Sequence, residues 1–236
     1  MSRKITEYLL CNNLISEAQH GFLKRRSTCT NLLQCTDDWS LSTELGFQTV
    51  VVYIDFAKAF DTVSHSKLLH KLYYCGIRGI LLSWFKCFLD SHTHQTKVKS
   101  SLSYIADLIS GIVQDSGIGP LFFFIFINDF IAVLEQYSVK VKLFADNLKL
   151  YLRIVNVCDI DKLPLTLNAI TNWENMWQLY VSPSKCCVLR VGKVHSVQPK
   201  LFVSQNSLPV VNSCVDLGIT VTSELTHRTH INNIVA

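Results

Sequence analysis

The sequence predicts an α+β fold. Strand-type runs and helical patterns interleave along the chain, and two pairs of strand-type runs are close enough to form hairpins, which is typical of antiparallel pairing. A doubly wound parallel fold would instead alternate single strands with crossover helices. The 236 residues are 49% hydrophobic and 17% charged, so the chain can bury a substantial core and is not expected to be disordered.

The first half of the chain contains four helical patterns and one strong strand. Apolar residues recur at helical spacing in four segments, and a β-branched run between the second and third marks a central strand. The apolar side predicted for the second helix consists of Leu32, Leu33, Trp39 and Leu41. In order, these elements are helix 3–14, helix 31–45, strand 49–56, helices 66–74 and 80–89, and a hairpin of strands 95–99 and 103–109.

The second half opens with a very apolar helix. Pro120 fits the first turn of this helix, where its missing N–H costs nothing. Two strands then flank Asp146 and Asn147, a pair that tolerates positive φ and suits a tight hairpin turn. The next helix carries Trp173 and Trp177, which are expected in the core. In order, these elements are helix 120–135, strands 139–145 and 148–154, helix 163–179, and strands 186–191, 201–203 and 215–221.

Charge and cysteine content limit the class of protein. The net charge of +4 permits a polyanionic partner without demanding one. Nine scattered cysteines without a C-x-x-C pair or a signal peptide indicate reduced thiols and an intracellular location. The longest apolar run, 121–127, falls far short of the roughly 20 residues that span a bilayer, so no membrane segment is expected.

Two acidic segments about ninety residues apart carry the functional signal. Asp55 ends the apolar run that begins at Val51, and Asp146 ends the run that begins at Leu143. If these runs are neighbouring strands, their carboxylates meet at one edge of a sheet and repel each other unless a cation lies between them. Such a pair suits a divalent metal site for phosphoryl or nucleotidyl transfer. On spacing alone, the alternative that both aspartates simply cap strand ends stays open.

Six ordered segments extend this signal over nearly the whole chain. They are 19–28, 53–65, 110–120 followed by 126–129, 144–147, 183–186 and 217–219. In this order they resemble the motifs of the reverse transcriptase domain of LINE-type, non-LTR retrotransposons. Segment 144–147, Phe-Ala-Asp-Asn, stands at the F-A-D-D motif of that family.

The resemblance implies the fold of a right-hand polymerase palm, an antiparallel sheet packed on helices. It implies partial fingers over 1–48, a palm over 49–195 with a fingers insertion at about 76–110, and a palm end over 196–236 that leads to a truncated thumb. On this basis we expect a truncated and degenerate copy, with the thumb missing after Ala236.

The resemblance also implies roles for individual residues. Asp55 and Asp146 would hold Mg²⁺, or Mn²⁺, and Lys185 would donate a proton to pyrophosphate, although a surface lysine without a role is the alternative. Phe60 matches the aromatic gate against a ribose 2′-hydroxyl, which makes the expected substrate a deoxynucleotide. The nucleotide-binding residues implied are Lys24, Arg26, Phe56, Phe60 and Gln114. The partners implied are an RNA template, a DNA primer and dNTP, in the nucleus or the cytoplasm, and no oligomeric state follows.

Three departures from the family pattern, together with the missing thumb, predict weak or absent catalysis. Leu23 stands where an arginine usually follows Gly-Phe in that family. Asn147 replaces the second aspartate and removes a negative charge from the metal site. Asp115 replaces a glycine where a nucleic-acid backbone should approach closely, and it adds bulk and negative charge. The sequence therefore leaves three readings open: a weak or inactive reverse transcriptase, a non-catalytic nucleic-acid-binding remnant of one, and a product that has no role and folds poorly.

Overall fold

The fold is built on one central sheet with helices on one side and a hairpin and a helix on the other. The structure is a computed structural model that describes residues 2–113, 116–193 and 199–235. Its helices are α1 Ser2–Cys11, α2 Thr28–Glu44, α3 His65–Tyr74, α4 Gly79–Asp90, α5 Gly119–Glu135, α6 Val157–Trp177 and α7 Arg228–Val235, with a 3₁₀ turn at Pro183–Lys185. The predicted α+β class is confirmed.

The strands divide into the central sheet and four small two-stranded units. The central sheet has the order β11-β8-β1-β7-β6 and is antiparallel except for the parallel pair β11–β8. The central-sheet strands are β1 Gln48–Ile54, β6 Lys140–Phe144, β7 Asn147–Ile154, β8 Cys187–Val191 and β11 Val210–Val211. The others are β2 Thr93–His94, β3 Lys97–Val98, β4 Ser101–Leu102, β5 Ala106–Asp107, β9 Phe202–Val203, β10 Asn206–Ser207, β12 Ser213–Asp216 and β13 Ile219–Thr222.

The two faces of the central sheet differ in what covers them, because side chains alternate along each strand. One face, which we call the helical face, packs against α3, α5 and α6 and contributes Val50, Val52, Ile54, Leu148 and Leu150 to the main core. The other, which we call the hairpin face, packs against α2 and the β12–β13 hairpin. It contributes Val51, Tyr53, Tyr151, Leu189 and Val191 to a second, smaller cluster.

Helix α5 fills the helical face. It is apolar on all sides and buried over most of its length, as expected for a helix that runs through a core. Its Phe126 and Phe130 contact Trp173 of α6, with ring centroids 6.3 and 4.5 Å apart. Trp173 is 3% exposed, so the prediction that it is a core residue is confirmed.

Helix α2 buries Trp39, as predicted, but not the leucines predicted to lie beside it. Its buried residues are Asn31, Cys35, Trp39 and Ser42, whereas Leu33 and Leu41 are about half exposed. Trp39 packs edge-on against Tyr151 of β7, with centroids 5.7 Å apart. The large aromatic ring anchors the helix, and the small residues next to it allow the helix to approach the sheet closely.

Two further boundaries differ from the sequence predictions. The predicted strand 215–221 is a hairpin, because Leu217 and Gly218 adopt φ of 48° and 88° and turn the chain between β12 and β13. Helix α6 begins at Val157, six residues earlier than predicted, because Asn156 and Asp159 form a capping box and Pro164 is tolerated inside the helix. Among the residues described, no helix is long and apolar enough to cross a bilayer.

Candidate active site at the ends of the central strands

Asp55 lies where β1 leaves the sheet. Its backbone carbonyl accepts a hydrogen bond from Ser182 N at 2.7 Å, and Cys186 Sγ accepts one from its N–H at 3.5 Å. Its side chain is 32% exposed, so the carboxylate faces an accessible space while the backbone is fixed. The strand before it and the loop at 182–186 therefore position this carboxylate together.

Asp146 lies at the tip of the β6–β7 hairpin, next to β1. Strands β1 and β7 are antiparallel neighbours, with Ile54 opposite Leu148, as the sequence argument for a carboxylate pair required. The predicted turn at Asp146–Asn147 is wrong by one residue. Phe144 pairs with Asn147, so the two-residue loop is Ala145–Asp146, and the residue at positive φ is Ala145, at 56°.

Ala145 is an unusual residue for this loop. Two-residue hairpin loops normally place glycine, asparagine or aspartate at positive φ, because a Cβ atom is crowded there. Such backbone strain persists only where the surrounding structure holds it, and it is found most often at functional sites. The loop that presents Asp146 is therefore held by contacts outside the hairpin.

The segment around Gly21 supplies those contacts. His20 donates a backbone hydrogen bond to Leu143 O at 2.8 Å, and Leu143 N donates to Ala18 O at 3.0 Å, so this segment pairs with the free edge of β6. A Cβ atom on Gly21 would lie 2.5 Å from Ala145 N, a distance that no side chain could occupy. Gly21 is therefore required by close approach to the Asp146 loop.

The charge of Asp55 acts on Asp146, which follows it on the neighbouring strand pair. Burial is the main cause that raises the pKa of Asp146, and the negative charge of Asp55 raises it further. Lys185 Nζ lies 3.2 Å from Asp55 Oδ1 and remains 63% exposed, so it partly neutralises Asp55 without being fixed there. The predicted catalytic residues Asp55, Asp146 and Lys185 are thus brought together.

Asn147 borders the same cavity as Asp55 and Lys185. This cavity, which we call the site cavity, has a volume of about 220 Å³ and lies between the ends of β1 and β7 and the β12–β13 hairpin. Asn147 is exposed at the start of β7. Its amide therefore stands at the edge of the cavity, where an aspartate would add a negative charge.

The donor set fits a hard divalent cation with few protein ligands. Within residues 2–113, 116–193 and 199–235, no group of three or more His, Cys, Asp or Glu residues could hold a metal. Mg²⁺ commonly takes one or two carboxylates and completes its shell with water and substrate phosphates. The mutual repulsion of Asp55 and Asp146 leaves a favourable position for a cation between them, so these two residues could hold Mg²⁺ or Mn²⁺.

The residues predicted to bind nucleotide differ in their location and burial. Phe56 is 1% exposed and packs against Phe130 and Trp173, so its side chain belongs to the core and only its backbone is near the site. Phe60 is half-buried, and its ring stacks on Phe123 with centroids 4.3 Å apart. Gln114, together with Asp115, lies outside the described residues.

Lys24 and Arg26 line another cavity, between α1 and the segment that follows it. The Arg26 guanidinium donates to the backbone carbonyls of Glu17 and Gln19, the latter at 2.6 Å. Arg26 therefore holds the chain near Gly21, whereas Lys24 is exposed. Neither residue lines the site cavity.

Sequence reasoning missed three polar residues behind the carboxylates. Lys149 Nζ lies 2.5 Å from Asp216 Oδ2, and the Tyr53 hydroxyl donates to the same oxygen at 3.3 Å. Tyr53 and Lys149 lie two residues from Asp55 and Asn147 along their strands, so they share the hairpin face with them. A lysine inside the apolar run of β7 was the available signal, but its partner, Asp216, is 67 residues away.

Comparison with known proteins shows that the chain is similar to polymerases of mobile elements. It is 24% identical over 246 residues to the RNA-directed DNA polymerase from mobile element jockey of Drosophila melanogaster, covering 98% of this chain and 27% of that protein. It is also 24% identical over 252 residues to the probable RNA-directed DNA polymerase from transposon BS of the same species, covering 98% and 26%. The chain thus spans about a quarter of the length of these relatives.

Solved structures share the fold at low sequence identity. Apo telomerase from Candida tropicalis, truncated from its C-terminal domain, superposes with a TM-score of 0.66 at 9% identity, covering 96% of this chain and 44% of that one. Telomerase from Candida albicans, in complex with a fragment of telomeric RNA, gives 0.63 at 11% identity, covering 99% and 40%. These likenesses confirm the predicted polymerase fold.

The family assignment rests on a match over most of the chain. The sequence model of the family described as reverse transcriptase (RNA-dependent DNA polymerase) matches residues 1–221. The expected motifs lie in their expected order on the fold, and the relatives are polymerases of mobile elements. The chain belongs to the reverse transcriptase family, and it is a domain of the non-LTR retrotransposon type that its motifs predicted.

Proposed function

We propose that this chain carries the palm of an RNA-directed DNA polymerase whose nucleotidyl-transfer site is centred on Asp55 and Asp146. The observation that carries the proposal is the meeting of these carboxylates at the ends of neighbouring strands, where Asp55 helps to raise the pKa of Asp146. Family membership supplies the reaction class. The proposed partners are an RNA template, a DNA primer and dNTP.

Asp55 and Asp146 would bind the divalent cation, Mg²⁺ or Mn²⁺. When bound, the cation neutralises charge on the triphosphate and activates the attacking hydroxyl. The contribution of this chain is to fix both carboxylates before substrate arrives. The hydrogen bond from Ser182 N to Asp55 O and the contact of Gly21 with Ala145 provide that fixation.

Lys185 forms an ion pair with the carboxylate of Asp55. Its ammonium group is an opposite charge 3.2 Å from Asp55 Oδ1, on a side chain that is mostly exposed and free to move. We propose that Lys185 leaves Asp55 when substrate binds and holds a proton for the departing pyrophosphate. General acids of this kind contribute about 10²–10⁴-fold to a rate.

Asn147 weakens the site. An asparagine at this position keeps one oxygen but removes one negative charge, and affinity for hard cations depends on the number of charged ligands. We therefore propose that the chain as it stands is a weak or inactive polymerase. Asp115 is expected to add to the defect because it replaces a glycine of the family pattern.

Phe60 and Lys24 remain proposals for nucleotide binding. Phe60 is half-buried beside Phe123, five residues after Asp55, which is compatible with a gate at the ribose. Lys24 is exposed in a basic segment that can contact phosphate. We also propose an intracellular location, in the nucleus or the cytoplasm, because all nine cysteines are free thiols.

The test is primer extension on an RNA template with labelled dNTP, in Mg²⁺ and in Mn²⁺. The natural chain is compared with Asn147→Asp and with Asp55→Ala. We expect little or no extension by the natural chain, a gain in Asn147→Asp, and none in Asp55→Ala. If the natural chain extends the primer strongly and Asp55→Ala abolishes that extension, the proposed loss of activity is wrong, but the assignment of the site is supported.

A second candidate function is favoured by the pairing of Lys185 with Asp55 beside Asn147. A site with its charge partly neutralised and one carboxylate missing is also what a non-catalytic nucleic-acid-binding protein would contain. In that case RNA–DNA hybrid binding persists with a steep dependence on salt. Neither Asn147→Asp nor Mn²⁺ then produces extension, and hybrid binding is unchanged in Asp55→Ala.

A further inference from the structure

A buried ion pair lies directly behind the proposed active site. Lys149 of β7 and Asp216 of β12 are 2.5 Å apart, and their side chains are 4% and 5% exposed. The Tyr53 hydroxyl of β1 donates to the same Asp216 oxygen at 3.3 Å. One carboxylate thus connects the β12–β13 hairpin to the two central strands that carry Asp55 and Asn147.

The ion pair and Tyr53 lie next to the proposed active site. Tyr53 and Lys149 lie opposite each other on β1 and β7. Each is two residues further into the sheet than Asp55 and Asn147, on the same face. Asp216 is the last residue before the turn of the β12–β13 hairpin, and it lines the site cavity together with Leu217. The ion pair therefore sets how far the hairpin tip lies from Asp55.

Apart from the ion pair, mostly apolar contacts hold the hairpin, and they include half-buried Cys214, which packs against the apolar cluster on the hairpin face. Of its residues, Val221 joins the apolar cluster on the hairpin face, and Thr222 is also buried. Val215 is 71% exposed and Ile219 is 38% exposed. Apolar burial does not specify direction, whereas a hydrogen-bonded ion pair fixes both distance and orientation.

Stability alone does not account for a charged pair at this place. Removing two charges from water is costly, and replacing a buried ion pair with apolar residues of similar size is often neutral or stabilising. What the apolar replacement lacks is a single preferred geometry. The pair is therefore better explained by where it places the hairpin than by how strongly it holds the fold.

We propose that Lys149 and Asp216, with Tyr53, are positioning residues that fix the β12–β13 hairpin against the active-site edge and so define the opening of the site cavity. This inference rests on the proposed polymerase function for its kinetic consequence. Its structural part, the fixing of the hairpin, stands independently of catalysis.

The key variant is the double replacement Lys149→Met with Asp216→Leu, made in the full chain. Each single replacement leaves a buried charge without its partner and is expected to lower Tm strongly. The double variant is expected to regain most of that Tm. Hydrogen exchange of the backbone amides of residues 213–222 is nevertheless expected to be about tenfold faster than in the natural chain.

The matched control is the exposed ion pair of Lys140 with Asp38, which are 2.6 Å apart on β6 and α2. Lys140→Met is expected to leave Tm and the exchange of residues 213–222 unchanged, because exposed ion pairs contribute little. Unchanged exchange of residues 213–222 in the Lys149→Met/Asp216→Leu variant would overturn the proposal. So would a Tm of the double variant as low as that of the single variants.

The kinetic arm is carried out in the Asn147→Asp background. There, the double variant is expected to raise the KM for the primer–template by about tenfold to a hundredfold, with a smaller change in kcat. An unchanged KM would overturn the positioning role, whatever hydrogen exchange reports. If no extension occurs in any background, the proposed function fails, and the exchange experiment decides the fixing of the hairpin by itself.

Discussion

The two faces of the central sheet are built on different principles. The helical face consists of aliphatic side chains covered by α3, α5 and α6, with several phenylalanines that are completely buried. The hairpin face mixes apolar residues with Tyr53 and Lys149 and leaves a cavity of about 220 Å³ at its active-site end. Neighbouring residues on the same strands thus belong to environments of opposite character.

The difference shows how one sheet both folds and works. Apolar burial supplies most of the folding free energy but specifies little about direction. Charged pairs and close backbone contacts add little net stability, yet they fix the positions of the carboxylates and of the hairpin. The helical face is therefore expected to control stability, and the hairpin face is expected to control geometry.

The largest change in unfolding free energy is expected when a large side chain is removed from the core on the helical face. Phe130 is 0% exposed, and its ring centroid lies 4.5 Å from that of Trp173. Phe130→Ala should cost about 3–5 kcal/mol of unfolding free energy, because the cavity cannot collapse in a close-packed core. Urea unfolding measures this loss. The control is Leu41→Ala at a half-exposed position, whose unfolding free energy is expected to stay within about 0.5 kcal/mol of that of the natural chain. A loss below about 1 kcal/mol in Phe130→Ala would show that the helical face does not control stability.

A charged group on the helical side gives a prediction about pH. Burial among Phe126, Trp173 and Trp177 lowers the pKa of Lys71 from 10.5 to about 8, although Asp129 opposes the shift. Between these values the unfolded chain binds a proton that the folded chain lacks, so the stability of the natural chain should rise with pH. The rise is at most about 3 kcal/mol, since a tenfold change in a protonation equilibrium is worth about 1.4 kcal/mol.

The measurement is urea unfolding of the natural chain and of Lys71→Met at several values between pH 8 and pH 10.5. The variant lacks the titrating amine, so the stability difference between the two chains should change with pH in favour of the natural chain. Other groups titrate equally in both chains and cancel in that difference. Parallel profiles would show that Lys71 keeps an ordinary pKa in the fold.

A smaller effect is expected where two backbones approach each other. Gly21→Ala would place a Cβ 2.5 Å from Ala145 N, so the Gly21 segment or the Asp146 loop must shift. A cost of about 1–3 kcal/mol is expected, as for overpacking in a core. Gly117→Ala is the matched control, because nothing lies within 4 Å of its Cβ position and its φ is not positive. Equal thermal unfolding midpoints for the two variants would show that the segments around Gly21 and Ala145 move apart without loss of stability.

The smallest effect is expected at the active-site edge, and it has the opposite sign. The pKa of Asp146 is raised by burial and by Asp55, so its ionised form is disfavoured in the folded chain. Asp146→Asn should therefore stabilise the protein at pH 7, by less than about 1 kcal/mol because the group is only half-buried. The gain should shrink as the pH falls toward the ordinary value of 3.8, where the unfolded carboxyl also becomes protonated. A loss of stability at pH 7 would indicate that Asp146 is stabilised by its surroundings.

Sequence patterns predicted most elements of the fold but not their buried sides. Helix α5 and strand β1 were predicted almost to the residue, because their apolar runs are long and uninterrupted. For helix α2 the burial of Trp39 was predicted, but leucines were expected beside it, because they are more hydrophobic than the cysteine, serine and asparagine that face the sheet. Periodicity identifies a helix, but the shape of its neighbour decides which side is buried.

The site was predictable where a local pattern marks each residue, and not where it depends on contacts between the side chains of distant segments. Asp55 and Asp146 were found because each ends an apolar strand, and strands of that kind pair as neighbours. The side chain of Phe56 was expected at the nucleotide, but the alternation of β1 directs it into the core. The turn was misplaced by one residue because Ala145 adopts a φ that alanine seldom takes.

The α+β class, the family and the placement of two aspartates at strand ends were predictable from the amino-acid sequence. These follow from local patterns and from short motifs whose order is visible in one chain. Tertiary structure alone decided the close contact of Gly21 with Ala145 and the ion pair between Lys149 and Asp216. Both contacts join residues far apart in the chain, and their strength depends on burial and distance, which only the folded chain provides.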